Sequence, residues 1–194
     1  MMQAKLDDRR GWVLSVLDEY EARLTRFAAR LLGDEEAARD VVQHAFLRLC
    51  DQSPGELHDR VAQWLFTVCR NRAVDVLRTR GRTTSLDHVD ARASLATDQD
   101  PAVAVEREEL SRRLSALVAG LPANQREAVD LWAEGFTHGQ IAEITGHSEG
   151  NVRVLVHRAL KKLRQSPIAR QLVGEPAESG EEPLDHPGTS RIRP

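Results

Sequence analysis

The sequence has few aromatic residues and cysteines, and it has no long apolar run. Aromatic residues make up 4% of its 194 residues, and it has two cysteines, Cys50 and Cys69. Neither lies in a CxxC or His–Cys ligand spacing, so we expect buried thiols and no disulfide or zinc site. No uncharged apolar run approaches the ~18 residues that span a bilayer. The N-terminal MMQAKLDDRR does not resemble a signal peptide, so we expect a cytoplasmic protein with no membrane partner.

Motifs of enzymatic chemistry are missing as well. The sequence has no Gly-rich phosphate loop, no HExxH and no nucleophile elbow. His138, His147 and His157 are nine and ten residues apart, a spacing that does not stack their side chains on one helix face for a metal. The sequence therefore predicts no catalytic residue, no metal, no cofactor and no small-molecule substrate.

The chain is rich in apolar residues at helical spacings of three and four, without the alternation of a β-strand. One helix is predicted from Gly11 to Leu32, closed by Gly33, and Asp34 is placed to cap the next. The apolar set of the first helix is Val13, Leu14, Leu17, Leu24, Phe27, Ala28 and Leu31. That of the second helix is Ala38, Val41, Val42, Ala45, Phe46 and Leu49.

Helix breakers and charge divide the chain into segments. A further helix is predicted from about Val61 to Thr79, and a first domain covers residues 11–82. Residues 83–102 lose helical periodicity and form a predicted linker. A second helical domain covers residues 103–166, with Pro122 at the start of one helix. Residues 167–194 are expected to be disordered.

The linker region is acidic and follows a basic segment. Thr83 to Glu109 holds seven acids and two Arg, whereas Arg60 to Arg82 holds six Arg and one Asp. The acidic block is either solvated surface or a strap that competes for a nucleic-acid site. The predicted fold is all-α, with two small helical domains joined by an acidic flexible linker and a helix-turn-helix in the C-terminal domain.

The helix-turn-helix lies between Thr137 and Arg164. Thr137 and Gln140 have the spacing of a capping box, Gly146 supplies the turn, and Ser148 is placed to cap the second helix. The apolar residues of that helix are Val152, Leu155, Val156, Ala159, Leu160 and Leu163. Because they repeat at three and four, they define one packing face. This pattern is typical of a helix that enters the DNA major groove.

The other face of this helix is basic. It holds Arg153, His157, Arg158, Lys161, Lys162 and Arg164. A solvated helix end is the plain alternative, because cations also favour a helix C-terminus. Val154 lies within the basic arc, where it either contacts a thymine methyl group or is an isolated surface valine.

Three motifs resemble those of the extracytoplasmic-function (group 4) sigma factors of bacterial RNA polymerase. Asp40 to Leu47, DVVQHAFL, is similar to the family's DVVQExF segment, with His44 in place of the acid. Trp64 to Arg78 is similar to the promoter-melting segment WLxxIARNxAxDxLR. Leu121-Pro122 and the SEGNVR that begins at Ser148 resemble the family's second DNA-binding region. The likeness covers roughly Trp12 to Arg164.

The resemblance implies functional residues in both domains. On the helix that binds the polymerase clamp they are Asp40, Gln43, His44 and Leu47. For recognition and melting of the downstream promoter element they are Trp64, Arg70, Asn71, Arg72, Arg78, Arg80 and Arg82. For the upstream element they are Arg153, Val154, His157 and Arg158 as base readers, with Lys161 and Lys162 on phosphate. Trp64 either stacks on a base or packs in the core.

The implied function is that of a sigma factor. The chain would bind core RNA polymerase, recognise a two-element promoter and aid its melting, and an anti-sigma factor is a possible further partner. Two other classes compete with this interpretation. A stand-alone helix-turn-helix regulator would bind a palindromic operator as a dimer. An interaction protein would occupy polymerase or a regulator without starting transcription.

Overall fold

The computed structural model of the protein describes the backbone of residues 2–83 and 112–166 and the side chains of residues 9–81 and 112–166. Within these ranges the regular elements are helices, which confirms the predicted all-α class. The predicted acidic linker beyond Thr83 and the predicted disordered tail lie outside the described residues. The chain divides into two compact units.

Within the described residues, the first unit contains three long helices and a short connecting segment. Helix α1 spans Met2–Leu32, α2 spans Glu35–Cys50, α3 spans Pro54–Leu57, a 3-10 turn spans His58–Arg60, and α4 spans Val61–Thr83. Helix α1 therefore begins before the predicted Gly11, and α4 continues past the predicted Thr79. Gly11 and Gly81 are exposed within these helices. A single exposed glycine weakens a helix by about 1 kcal/mol without ending it.

The junction between α1 and α2 is determined by two consecutive residues. Gly33 has a φ of 69°, the left-handed region that favours glycine, and its N–H donates to the Ala29 carbonyl at 2.9 Å. The carboxylate of Asp34 accepts from the N–H groups of Glu36 and Ala37 at 3.0 and 3.3 Å. Both predicted caps are thus confirmed.

The core of the first unit lies where α1, α2 and α4 pack together. Phe27 and Phe66 are fully buried, with ring centroids 5.1 Å apart and planes inclined by 53°. This tilted arrangement is one of the favourable geometries for aromatic pairs. Leu24 of α1, Leu49 of α2 and Leu65 of α4 are likewise fully buried.

Two predictions about packing in this unit are wrong. Leu14 belonged to the predicted apolar face of the first helix, but its side chain is 55% exposed and Val16 is buried in its stead. Cys50 was expected to be buried, but it lies exposed at the last residue of α2. Cys69 is buried as predicted, and desolvation raises the pKa of its thiol to about 12.

The described part of the second unit contains four helices. Helix α5 covers residues 112–119 of the described chain, α6 spans Ala123–Ala133, α7 spans His138–Thr145 and α8 spans Glu149–Arg164. Pro122 was predicted to be the first residue of α6. It is instead the N-cap residue, and the helix begins one residue later, at Ala123. Leu121, Val129 and Ala159 form a buried cluster that Trp132, Leu160 and Leu163 flank. Helix α8 is therefore held against α6 by its apolar face.

Candidate nucleic-acid and polymerase interfaces

The predicted helix-turn-helix is present in the second unit as α7, a turn and α8. The Gln140 N–H donates to Thr137 Oγ1 at 3.3 Å, and the Thr137 N–H donates to Gln140 Oε1 at 2.9 Å, which completes a capping box. Gly146 ends α7 with a φ of 74°. The Asn151 N–H donates to Ser148 Oγ at 3.3 Å, so Ser148 caps α8. All three predicted start and stop signals are confirmed.

Helix α8 separates apolar and basic side chains on two faces. Val152, Leu155, Val156 and Ala159 are buried against the rest of the unit. The six predicted DNA contacts of this helix are all exposed: Arg153, Val154, His157, Arg158, Lys161 and Lys162. Val154 is 44% exposed, which confirms an apolar surface residue within the basic arc. The structure thus brings all six predicted base-reading and phosphate residues to the solvent side of one helix.

Arg153 has a charged neighbour that the sequence prediction did not include. Its Nη2 atom lies 3.0 Å from Glu149 Oε1, one helical turn earlier. Side-chain exposure is 66% for Arg153 and 55% for Glu149, so solvent screens the pair. The spacing of four residues was a usable signal, because opposite charges so placed on a helix lie side by side.

Lys162 makes a contact within its own unit. Its ammonium donates to the carbonyl of Gly120 at 2.8 Å, in the turn between α5 and α6. Arg126 Nη2 donates to the carbonyls on either side, those of Ala119 at 2.6 Å and Leu121 at 3.1 Å. Carbonyls at the end of a helix lack helical partners, and these two cations satisfy them. Lys161, one residue earlier, is exposed.

A second surface is formed by α2. Asp40, Gln43, His44 and Leu47 are all exposed, and Leu47 is 62% exposed. Their spacings of three and four place them along one stripe of the helix, opposite the buried face. The polar residues Gln43 and His44 lie one turn before this apolar side chain. The arrangement is that of a small contact patch with an apolar centre.

The predicted downstream-element residues lie along α4. Asn71, Arg72, Arg78 and Arg80 are exposed, whereas Trp64 and Arg70 are half-buried. The side chain of Arg82 lies outside the described residues. The structure therefore presents an amide and three guanidinium groups to solvent from one helix.

Two of these arginines are close to carboxylates. Arg80 Nη2 lies 2.5 Å from Asp34 Oδ2, and Arg78 Nη1 lies 3.8 Å from Asp75 Oδ1. Hydrogen bonds, first from Arg80 and then from the Ala37 backbone, hold the pKa of Asp34 below its ordinary value. Asp34 is a residue that the sequence prediction missed in this role. The sequence pattern predicted only the capping role of Asp34, because 46 residues separate it from Arg80.

The described part of the chain has neither a metal-binding cluster nor a helix that could cross a membrane. Residues 2–83 and 112–166 hold no group of three or more His, Cys, Asp or Glu side chains arranged for a metal ion. None of the helices in the described part of the chain combines the length and apolar character needed to cross a bilayer.

Two family models match the chain, one in each unit. The model described as Sigma-70 region 2 matches residues 16–83, which contain α2 and α4. The model described as Sigma-70, region 4 matches residues 111–163, which contain α7 and α8. Both candidate surfaces therefore lie inside regions of known sigma-factor domains.

Named relatives agree with these matches. The ECF RNA polymerase sigma factor SigL of Mycobacterium tuberculosis is 35% identical over 158 residues, covering 77% of this chain and 85% of that protein. The ECF sigma factor SigM of Bacillus subtilis is 30% identical over 142 residues, covering 72% of this chain and 85% of that protein.

A solved structure is similar along most of the chain. It is the sigma factor RpoE of Bartonella quintana, crystallised in complex with the anti-sigma factor NepR. The TM-score is 0.56 at 25% identity, with 81% of this chain and 95% of that chain covered. Two domain matches in order and relatives aligned over most of their length show that the chain belongs to the extracytoplasmic-function sigma factors, which are transcription initiation factors of RNA polymerase.

Proposed function

We propose that this sigma factor binds core RNA polymerase through its first domain, over residues 11–82, and reads promoter DNA with both domains. The observation that carries the proposal is the separation of faces on α8. Four buried apolar residues hold that helix in the second unit, and its basic residues remain exposed for DNA. A second domain over residues 103–166 would then read the upstream promoter element. The linker over residues 83–102 would let the two domains reach separate elements.

Binding to polymerase is assigned to the exposed stripe of α2. Leu47 would enter an apolar depression on the polymerase, while Asp40, Gln43 and His44 provide polar contacts around it. An apolar centre with a polar rim is how compact interfaces gain affinity. Exposure of 62% supports this role for Leu47, because that side chain contributes little to the core of its own unit.

Recognition and melting of the downstream element are assigned to α4. Asn71 can hydrogen-bond the edge of a base taken out of the stack, and Arg70, Arg72, Arg78, Arg80 and Arg82 would contact phosphates. Trp64 is half-buried, which supports packing with one edge left for a base. Arg80 would have to leave Asp34 before it could contact DNA.

Reading of the upstream element is assigned to the exposed face of α8. Arg153, Val154, His157 and Arg158 would contact base edges in the major groove, and Lys161 would contact phosphate. The hydrogen bond from Lys162 to Gly120 supports a structural role for that residue. A phosphate contact by Lys162 would compete with this hydrogen bond.

We propose that polymerase performs the catalysis in the cytoplasm, and that the chain itself has no catalytic residue and needs no cofactor. A protein inhibitor of the anti-sigma class is a further proposed partner, because the RpoE to which this chain is similar was crystallised with one.

The stand-alone regulator is not favoured, because it leaves the region 2 match and the stripe on α2 without a role. A DNA-binding measurement separates the two functions. Fluorescence anisotropy of a labelled promoter duplex would be recorded with this chain alone and with core polymerase added. We expect tight binding only with core, because the formal net charge of −3 opposes a polyanion. Tight, specific binding by the free chain would contradict the proposal.

A further inference from the structure

We propose that Glu149 is a specificity-determining residue, whose carboxylate selects cytosine at the base pair next to the one that Arg153 reads. The inference rests on the proposed function of α8, and Glu149 is not among the DNA contacts assigned above. Glu149 is the first residue of α8, and it is exposed on the side of the helix that carries Arg153.

The carboxylate of Glu149 has positive surroundings. Arg153 Nη2 lies 3.0 Å from Oε1, and the residue occupies the first turn of α8, where the N–H groups carry partial positive charge. The Oε2 atom of Glu149 also lies near Gly139, in the first turn of α7. A Cβ atom placed on Gly139 would be 3.9 Å from that oxygen. The carboxylate and the guanidinium therefore lie side by side, both exposed, at the N-terminal end of α8.

Base chemistry gives this pair two different preferences. The N-terminal residues of a recognition helix contact base edges, so Glu149 would enter the groove together with Arg153. A carboxylate accepts a hydrogen bond from the cytosine N4 amino group, whereas arginine donates to guanine O6 and N7. A carboxylate is also repelled by phosphates and by the acceptor atoms of guanine. Arg153 and Glu149 together therefore favour DNA in which a guanine lies next to a cytosine, and they disfavour DNA that lacks these two neighbouring bases.

A matched pair elsewhere in the chain provides the control. Arg39 and Glu35 are also four residues apart, 3.4 Å from each other, with side-chain exposures of 70% and 52%. This pair lies on α2, far along the chain from α8, and it has no assigned role in DNA reading. If Glu149 acted only as a solvated helix charge, Glu149→Gln and Glu35→Gln would have the same effect.

The test uses core polymerase with the wild-type chain, Glu149→Gln or Glu35→Gln. Each holoenzyme is incubated with a promoter library randomised across the upstream element, and the bound duplexes are sequenced. We expect Glu149→Gln to reduce the preference for cytosine at one position by about tenfold, while the preference for guanine beside it remains. Non-specific DNA affinity should rise, because a negative charge is lost. Glu35→Gln should retain the wild-type profile.

The outcomes separate the inference from the proposed function. A wild-type profile for Glu149→Gln, with an ordered upstream preference for the wild-type chain, would overturn the inference alone. Failure of the wild-type holoenzyme to enrich any upstream sequence would overturn both. Far-UV circular dichroism and the urea midpoint of Glu149→Gln serve as the check on folding, and a folded variant with altered cytosine preference supports the inference.

Discussion

Arg80 Nη2 lies 2.5 Å from Asp34 Oδ2, and the same carboxylate caps α2 through the N–H groups of Glu36 and Ala37. One aspartate thus joins the start of α2, which carries the proposed polymerase stripe, to the last turns of α4, which carry the proposed DNA contacts. Because a phosphate and Asp34 would bind the same guanidinium, DNA contact by Arg80 would compete with this ion pair. The geometry of the junction between these helices is therefore linked to the proposed downstream contacts.

Replacing Asp34 separates its two roles in stability. Asn retains the capping oxygen but not the charge, whereas Ala removes both. We expect the urea midpoint at pH 7 to fall slightly for Asp34→Asn and further for Asp34→Ala. Equal midpoints for the two variants would contradict the capping role.

The ion pair also predicts a pH dependence. The folded pKa of Asp34 is lowered below its ordinary value of 3.8, so its contribution is present above pH 3.8 and is lost as the pH falls through the folded pKa. The difference in urea midpoint between the wild type and Asp34→Asn should therefore be constant near neutral pH and should disappear in acid. A difference that grows in acid would contradict this assignment.

Lys162 and Lys161 are predicted to differ although they are neighbours. Lys162→Met removes the hydrogen bond to the Gly120 carbonyl, so we expect it to lower the free energy of unfolding by about 1 kcal/mol. Lys161→Met should change stability by less than about 0.5 kcal/mol, but it should weaken holoenzyme binding to DNA and reduce the salt slope by about one. Urea unfolding and salt-dependent anisotropy measure the two effects. The reverse pattern would return Lys162 to the phosphate contacts.

Leu47 is predicted to be the centre of the polymerase contact. Leu47→Asp places a charge where an apolar side chain would be desolvated, so affinity for core polymerase should fall by about tenfold or more. Leu14→Asp is the matched control, because Leu14 is also a leucine with more than half of its surface exposed, on α1. Biolayer interferometry with immobilised core measures both. Equal affinities for the two variants would contradict the assignment, and unchanged thermal midpoints show that both remain folded.

The two cysteines should react at very different rates. Cys50 is exposed, whereas Cys69 is buried and has its pKa raised to about 12, so its thiolate is scarce at pH 8. Iodoacetamide should add one label to the native chain, at Cys50, and a second only in urea. Peptide mass spectrometry locates the labels. Equal labelling of both residues in the native protein would contradict the burial of Cys69.

The parts of the fold that were predicted correctly depend on neighbouring residues. Each of three helix N-caps joins residues only three positions apart, so the sequence pattern contains the whole interaction. These caps are Asp34 with Ala37, Thr137 with Gln140, and Ser148 with Asn151. The exposed position of Leu47 was likewise predictable from the strong amphipathic pattern of α2. The fold class and the order of the two domains follow from such local signals.

Other features depend on contacts that the local pattern does not contain. The pairs Asp34–Arg80 and Gly120–Lys162 are separated by 46 and 42 residues, so no periodicity indicates them. In α1 the residues Val13, Leu14, Val16 and Leu17 place apolar side chains on several sides of the helix, so periodicity alone does not indicate which of them is buried. Helix α1 packs against α2 and α4, and in the packed unit Val16 is buried and Leu14 is exposed. Cys50 follows the last buried residue of α2, where the helix face turns to solvent.

Action as a sigma factor is tested most directly by run-off transcription with purified core polymerase, this chain and a pool of genomic promoter fragments. The variant Arg153→Ala/Arg158→Ala is assayed alongside, because both side chains are exposed on α8. We expect discrete transcripts that require the chain and that decrease strongly with the variant. Transcripts that do not depend on the chain, or none at all together with stable DNA binding by the chain alone, would contradict its action as a sigma factor.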